Sequence, residues 1–211
     1  MTFGKMGARK MMHRGPVLPP GARWVEYLQG TETQWIDTPF VFNSDTDTVE
    51  IQFSLVNEIR FKWCFGSHDT NARCAVGSGN STNQRNIAYG TDTQRVSDQY
   101  FVNKKCKFIA NTQGVYLNDN FITGFQSFQA ESFIRLFSLN SPNESAALYA
   151  SQTKMWMFNA TRNGTALHKF RPIAIGNMGY MMDILTGDYL QYGNKGTGNF
   201  VIGPDIQPPT I

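Results

Sequence analysis

The sequence predicts an all-β protein built as a two-sheet antiparallel jelly-roll sandwich, with an extended arm at its N-terminus. Three observations predict it. Apolar and polar residues alternate with a period of two; more than ten short segments of that kind are separated by turn-forming clusters; and no window of about 11 residues repeats its apolar positions at helical spacing.

The clearest strand is "TVEIQFSLV", where Val49, Ile51, Phe53 and Leu55 alternate with Glu50, Gln52 and Ser54. Successive side chains of a strand point to opposite faces, so this pattern suits one wet and one buried face. "WVEYL" and "QWID" precede it; "RFKWCFG", "RCAVG", "NIAYG", "CKFIAN", "GVYLN", "SFIRLFSL", "ALYASQTKMWMFNA" and "TALHKFRPI" follow. Between them lie Asn, Asp, Gly and Ser clusters such as "FNSDTD", "GSGNSTNQ" and "LNSPNES". Asn118-Asp119 is predicted to turn a tight hairpin, because both residues tolerate positive φ. Trp35, Phe53, Trp63, Trp156 and Phe158 are expected to fill the gap between the sheets. In the closing segment, strands around "YMMDI" and "DYLQY" are expected to be joined at Thr186-Gly187. "GNKGTG" then turns into "NFVIG", and Pro204 stops the ladder.

Residues 1–22 have neither periodicity. Their glycines and prolines read as an extended arm, stiff at its Pro-rich end. The sequence divides into this arm, a domain over 23–205 and a tail over 206–211. Lys5, Arg9, Lys10, Arg14 and Arg23 come before the first acid, Glu26, and the remaining 14 Lys and Arg against 16 Asp and Glu leave the body at −2. Basicity therefore belongs to the arm. With few charges and no aromatic ladder, the arm reads as a protein-docking element or plain disorder rather than a nucleic-acid or membrane binder. The docking residues are Lys5, Met6, Arg9, Lys10, Met11, Met12 and Arg14: the cations meet an acidic patch, and the flexible methionines fit an irregular apolar groove. The first 22 residues lack the apolar core of about 7–15 residues that a secretory leader needs. No run reaches the about 20 apolar residues of a membrane-spanning helix.

No catalytic constellation emerges. His13, His68 and His168 are scattered, without a second ligand at metal spacing; His68 beside Asp69 reads as a solvated turn pair. Cys64, Cys74 and Cys106 lack C-x-x-C spacing and read as free buried thiols of a chain made in a reducing cytoplasm. Gly77-Ser78-Gly79 is not a nucleophile elbow, and Gly196-Thr197-Gly198 lacks the Lys and the following helix of a phosphate loop. The acids around "ILTG" (Asp183, Asp188) and Asp45 with Asp47 lack an EF-hand spacing. We expect no catalytic residue, metal or cofactor. Trp24, Trp35 and Tyr192 are the rings that would stack on a sugar if they are exposed.

Two segments resemble a known family. "LPPGARWVEYLQGTETQWIDTPF", residues 18–40, is similar to the "LPxGYxxVEYLESTGTQYIDTGF" opening of concanavalin-like, laminin-G-like jelly-roll domains found in phage and prophage structural proteins of gut bacteria. "GYMMDILTGDYLQYGNKGTGNFVIGPD", residues 179–205, resembles that family's "GLYDLVNxxFYxNxGTGxFxxGP" ending. "FGS" at 65–67, "LFSLN" at 136–140 and "ALYASQTKMWMFNATRNGTALHKFRPI" at 147–173 match in order between them. The sequence departs from the pattern at Glu32, where relatives have Gly, and at "FRPIAIG", where they often have "FIPC". The resemblance implies a non-enzymatic virion module, either a capsid decoration or head-fibre protein or a tail-associated one. It would be made in the bacterial host cytoplasm and dock to other virion proteins. A homo-oligomer is expected, with three-fold symmetry, and neither nucleic acid nor membrane is an expected partner. The alternative is a carbohydrate-binding adhesin module that recognises a host-surface glycan.

Overall fold

The structure, a computed structural model, describes residues 16–57, 62–69, 72–78, 84–97, 101–141 and 149–209. Among them sixteen strands follow one another, with a 3-10 turn at Leu190–Tyr192. The first eight are β1 (Ala22–Trp24), β2 (Leu28–Gln29), β3 (Ile36–Asn43), β4 (Asp47–Leu55), β5 (Trp63–His68), β6 (Arg73–Ser78), β7 (Gln84–Gly90) and β8 (Asp92–Ser97). The second eight are β9 (Cys106–Asn111), β10 (Gly114–Leu117), β11 (Asn120–Gly124), β12 (Gln129–Leu136), β13 (Thr153–Arg162), β14 (Thr165–Ile175), β15 (Met178–Asp183) and β16 (Val201–Ile202).

They form two antiparallel sheets packed face to face. The smaller has six strands in the order β3-β12-β5-β6-β7-β8; the larger has ten, with β1-β14-β13-β4-β9-β10-β11 as its spine, β15 beside β14, and β2 joining β13 to β16. Sheet neighbours are often distant in sequence: β4 lies between β9 and β13. The chain therefore crosses between the layers repeatedly, and neither sheet buries its apolar face without the other.

That buried layer is mainly phenylalanine. Phe65 of the smaller sheet meets Phe53 and Phe108 of the larger at ring-centroid distances of 5.3 and 5.1 Å, and Phe40 meets Phe158 at 6.2 Å. The alternation read in β4 holds: Val49, Ile51, Phe53 and Leu55 are buried. The Asn118-Asp119 hairpin also forms, with φ of 50° and 65° at the two residues. All three cysteines are buried thiols outside any disulfide.

The placement of three tryptophans and the strand expected at "DYLQY" need correction. Trp35, Trp63 and Trp156 do not lie between the sheets; each is half-buried on an outer surface. The cause in β13 is a register shift between Met155 and Met157, which turns Phe158 inward together with Met155 and leaves Trp156 outside. A similar shift between Trp63 and Phe65 places Trp63 outside, over Gly77, where a Cβ would come within 2.4 Å of the indole. Residues "DYLQY" form no strand: Leu190–Tyr192 is a 3-10 turn, with Tyr192 buried against Phe170 at 4.6 Å.

One buried charge ties the turns at one end of the sandwich. Asp47 is fully buried and accepts from Arg162 Nε at 2.8 Å and Nη2 at 2.9 Å, from the Asn43 N–H at 2.9 Å and from Thr46 Oγ1 at 2.8 Å. This links the turn between β3 and β4 to the hairpin between β13 and β14. Burial alone would raise the Asp47 pKa, but the Arg162 guanidinium and the other donors hold it below the ordinary carboxylate value.

Candidate functional site

The two segments that carry the family resemblance lie at opposite ends of the sequence and meet in space. The "GNKGTG" turn packs on residues 31–35. Lys195 N–H donates to the Trp35 carbonyl at 2.9 Å, and Thr197 N–H donates to the Thr33 carbonyl at 3.0 Å. The Thr197 carbonyl accepts from Thr33 Oγ1 at 2.9 Å and from Gln34 Nε2 at 2.7 Å. Gln34 is buried, and its amide oxygen accepts from the Thr31 N–H at 2.6 Å and from the Thr31 hydroxyl at 2.9 Å. Contact this close requires glycine: a Cβ on Gly196 would sit 1.8 Å from the Thr33 carbonyl oxygen and 2.7 Å from the Trp35 ring. Glu32 has a φ of 75°, the left-handed region that suits glycine.

Further along, the C-terminal segment holds the start of the domain. Val25 bridges Asp205, the Glu26 N–H donates to the Pro204 carbonyl at 2.8 Å, and the Ile206 N–H donates to the Trp24 carbonyl at 3.1 Å. Arg23 adds an ion pair to Asp205 at 2.7 Å and a bond to the Gly176 carbonyl at 3.0 Å.

The segment that leads into β1 is packed. Leu18 and Ala22 rest on Trp24, Ile173, Met182 and Ile184, with Tyr180 and Tyr189 alongside. Ile173 pairs with Trp24 on one side and Tyr180 on the other, so this small second core lies on the outer face of the larger sheet. The chain therefore enters the domain lying against that face. Next to it, a cleft of about 390 Å³ opens between β15 and the closing segment; Met178, Tyr180, Leu190, Lys195, Asn199 and Phe200 line it. Met178 and Leu190 are 51% and 75% exposed, giving its rim an apolar character.

The residues singled out from sequence fall in different places. Lys5, Met6, Arg9, Lys10, Met11, Met12 and Arg14 lie outside the described residues. Trp24 and Tyr192 are 4% and 5% exposed, so neither offers a face to a sugar, and their assignment as stacking rings is corrected. Trp24 is the centre of the second core; Tyr192 closes over Phe170. Trp35 is half-buried, with the Arg135 guanidinium 6.0 Å from its ring centroid and Gly196 against it.

Acid and histidine side chains are spent on structure. His168 Nδ1 lies 2.8 Å from Asp183 Oδ2, and its ring stacks on Phe170 at 5.6 Å. Asp183 also accepts from the Lys169 and Leu185 N–H groups, both at 3.1 Å. Burial would raise its pKa, but these bonds and His168 hold it below the ordinary value. Asp69 is buried rather than solvated and accepts from the Glu131 N–H at 2.8 Å and Ser132 Oγ at 3.0 Å. Burial pushes the Cys74 thiol up to about 12 and Cys106 to about 11, which removes both as nucleophiles near neutral pH. Among the described residues, no group of three or more His, Cys, Asp or Glu is placed to hold a metal ion.

Sequence reasoning missed Gln34, the hub of the contact between the chain's two ends. Its only signal was its place in the "TQ" of the opening pattern; partners more than 160 residues away leave no local trace. No family model matches the chain, and no curated protein matches it.

Proposed function

We propose that this chain is a structural component of a phage virion, a capsid decoration, head-fibre or tail-associated protein. It docks through its N-terminal arm, and the sandwich projects for assembly or surface attachment. The observation that carries the reading is the partition of charge. Five cations precede the first acid, and the body behind them is nearly neutral. A short basic arm with methionines suits an acidic and apolar surface on a neighbouring virion protein. The packing of Leu18 and Ala22 on the second core supports it, since the arm is then rooted on a rigid face. The resemblance of the chain's two ends to jelly-roll domains of phage structural proteins supplies the virion context. Repeated positions on a symmetric particle favour a homo-oligomer, and a trimer suits a spike or decoration.

Immunogold labelling of purified particles from a producing lysate tests the location: particles should carry the protein, and its absence from them refutes the reading. Removal of residues 1–15 leaves Leu18 and Ala22 in place, so the shortened chain should fold with an unchanged melting temperature and fail to incorporate. Undiminished incorporation would refute docking through the arm. Light scattering gives the subunit number. The carbohydrate-binding alternative loses the support it drew from Trp24 and Tyr192.

A further inference from the structure

The outer face of the larger sheet differs from the rest of the body in charge. Strand alternation places Lys107 of β9, Lys154 of β13, and Lys169 and Arg171 of β14 on it, and Lys105 joins them just before β9. Glu50 of β4 lies among them; Glu26 accepts from Trp156 Nε1 at 3.3 Å and Asp119 pairs with Lys107 at 2.6 Å. Five cations against three acids give this face +2, within a body of −2, so the remainder carries −4.

Apolar and aromatic side chains are interleaved with these charges. Ile109 of β9 stands beside Tyr116 of β10, whose ring meets that of the 61% exposed Phe121 at 5.7 Å. Met157 and Trp156 continue the strip on β13, and Tyr27 meets Trp156 at 5.5 Å. Lys105 Nζ sits 5.0 Å over the Trp156 ring and Lys154 Nζ 4.6 Å over the Tyr27 ring. Half-exposed aromatics, Met and Arg are the residue types that protein interfaces favour.

From these observations we infer that the outer face of the larger sheet is a docking surface for an acidic protein partner. This inference rests on the virion reading above and extends the arm's contact. Continuity supports it, because Leu18 and Ala22 run onto the same face over Ile173 and Met182, so a partner gripped by the arm lies against it. Charge complementarity names the chemistry: the arm and the face are both basic, whereas the rest of the body carries a net −4. The geometry favours protein over nucleic acid. Lysines already occupy positions over both rings, and the rings are tilted by 58°, so they offer no flat platform for a base. Three acids among the cations also oppose a phosphate backbone.

The test uses the full chain and fluorescein-labelled poly-L-glutamate at low salt, followed by anisotropy. The Lys105→Glu/Lys154→Glu variant reverses the charges of exposed Lys105 and half-buried Lys154; Arg95→Glu on β8 of the other sheet is the control, and melting curves verify folding. The double reversal should weaken binding by roughly tenfold, and Arg95→Glu should change it by less than about twofold. If removal of residues 1–15 abolishes binding while the double reversal does nothing, the face plays no part, although the arm reading stands. Failure of the full chain to bind poly-L-glutamate overturns the inference. So does tighter binding of a labelled DNA duplex with the same sensitivity to the double reversal, which would assign the face to nucleic acid. Particles free of the protein in the immunogold experiment refute the virion reading whatever the anisotropy shows.

Discussion

Substituting Gly196 by Ala tests the claim that the two ends of the chain form one unit. The new methyl would sit 1.8 Å from the Thr33 carbonyl oxygen, which is backbone and cannot rotate away. Separation of the two segments is the accessible response. It removes the bonds from Lys195 to Trp35 and from Thr197 to Thr33, and takes the Thr197 carbonyl away from the buried Gln34 amide. Two backbone hydrogen bonds are worth about 1 kcal/mol each net, and a buried amide left short of a partner costs about 1–3 kcal/mol, so the loss is about 3–5 kcal/mol. For a domain of this size that lowers Tm by about 6–20 °C. Gly187→Ala is the informative control, since Gly187 has a φ of 84° and nothing within 4 Å of an added Cβ. It pays only the left-handed conformation, about 1–2 kcal/mol. Thermal unfolding followed by near-UV circular dichroism compares the two. A Gly196→Ala protein that melts no lower than Gly187→Ala would refute the reasoning.

Three other predictions concern stability and reactivity. Glu32→Gly relieves a φ of 75° at the cost of one bond from Gln152 Nε2, and should raise stability by about 0.5–1 kcal/mol; a lower melting temperature would contradict the assignment of strain. Asp47 and Asp183 both have folded pKa values below the ordinary carboxylate value, so the unfolded chain binds more protons in acid. Their contribution is complete above about pH 4 and disappears as pH falls through the folded values, and Asp47→Asn should flatten that acid limb in denaturant titrations while costing about 2–4 kcal/mol at pH 7. The thiols of Cys64, Cys74 and Cys106 should react with a disulfide reagent at pH 8 only slowly in the native protein, and all three at once in guanidinium; rapid native reaction of all three would contradict their burial.

What could be read from the sequence follows from how local the physics is. β4 and the Asn118-Asp119 hairpin were legible because alternation and turn chemistry act within a few residues. β8 was not: "DTQRVS" has no apolar alternation, because it is an exposed edge strand with little to bury. β3 was seen only at its start, since Pro39 interrupts the pattern; the structure tolerates it because β3 is the other edge of the smaller sheet. The tryptophans were misplaced for a subtler reason. A single register shift in β13 reverses the facing of every later side chain, and nothing in "TKMWMFNA" marks where the extra residue falls. The closing glycines were read correctly as structural, but as hairpin turns. Gly196 is required for the approach of a segment more than 160 residues away.

That approach bears on how an arm transmits force to a sandwich. β1 has only three residues, and a strand so short would peel from β14 if the arm pulled on it alone. The C-terminal segment prevents this by gripping both sides of β1's continuation: Arg23, Val25, Glu26 and Trp24 are each tied to residues 204–206. Residues 31–35 are held by the Gly196 turn just beyond. Under the proposed docking, a load on the arm would be shared between the larger sheet and the closing segment before it reached the Phe core. Weakening the Gly196 contact should loosen the root of the arm as well as lower stability. Hydrogen exchange separates the two effects: in Gly196→Ala the amides of Val25 and Glu26 should lose protection well before those of β4, whereas a uniform loss would mean that the closing segment supports the whole sandwich equally.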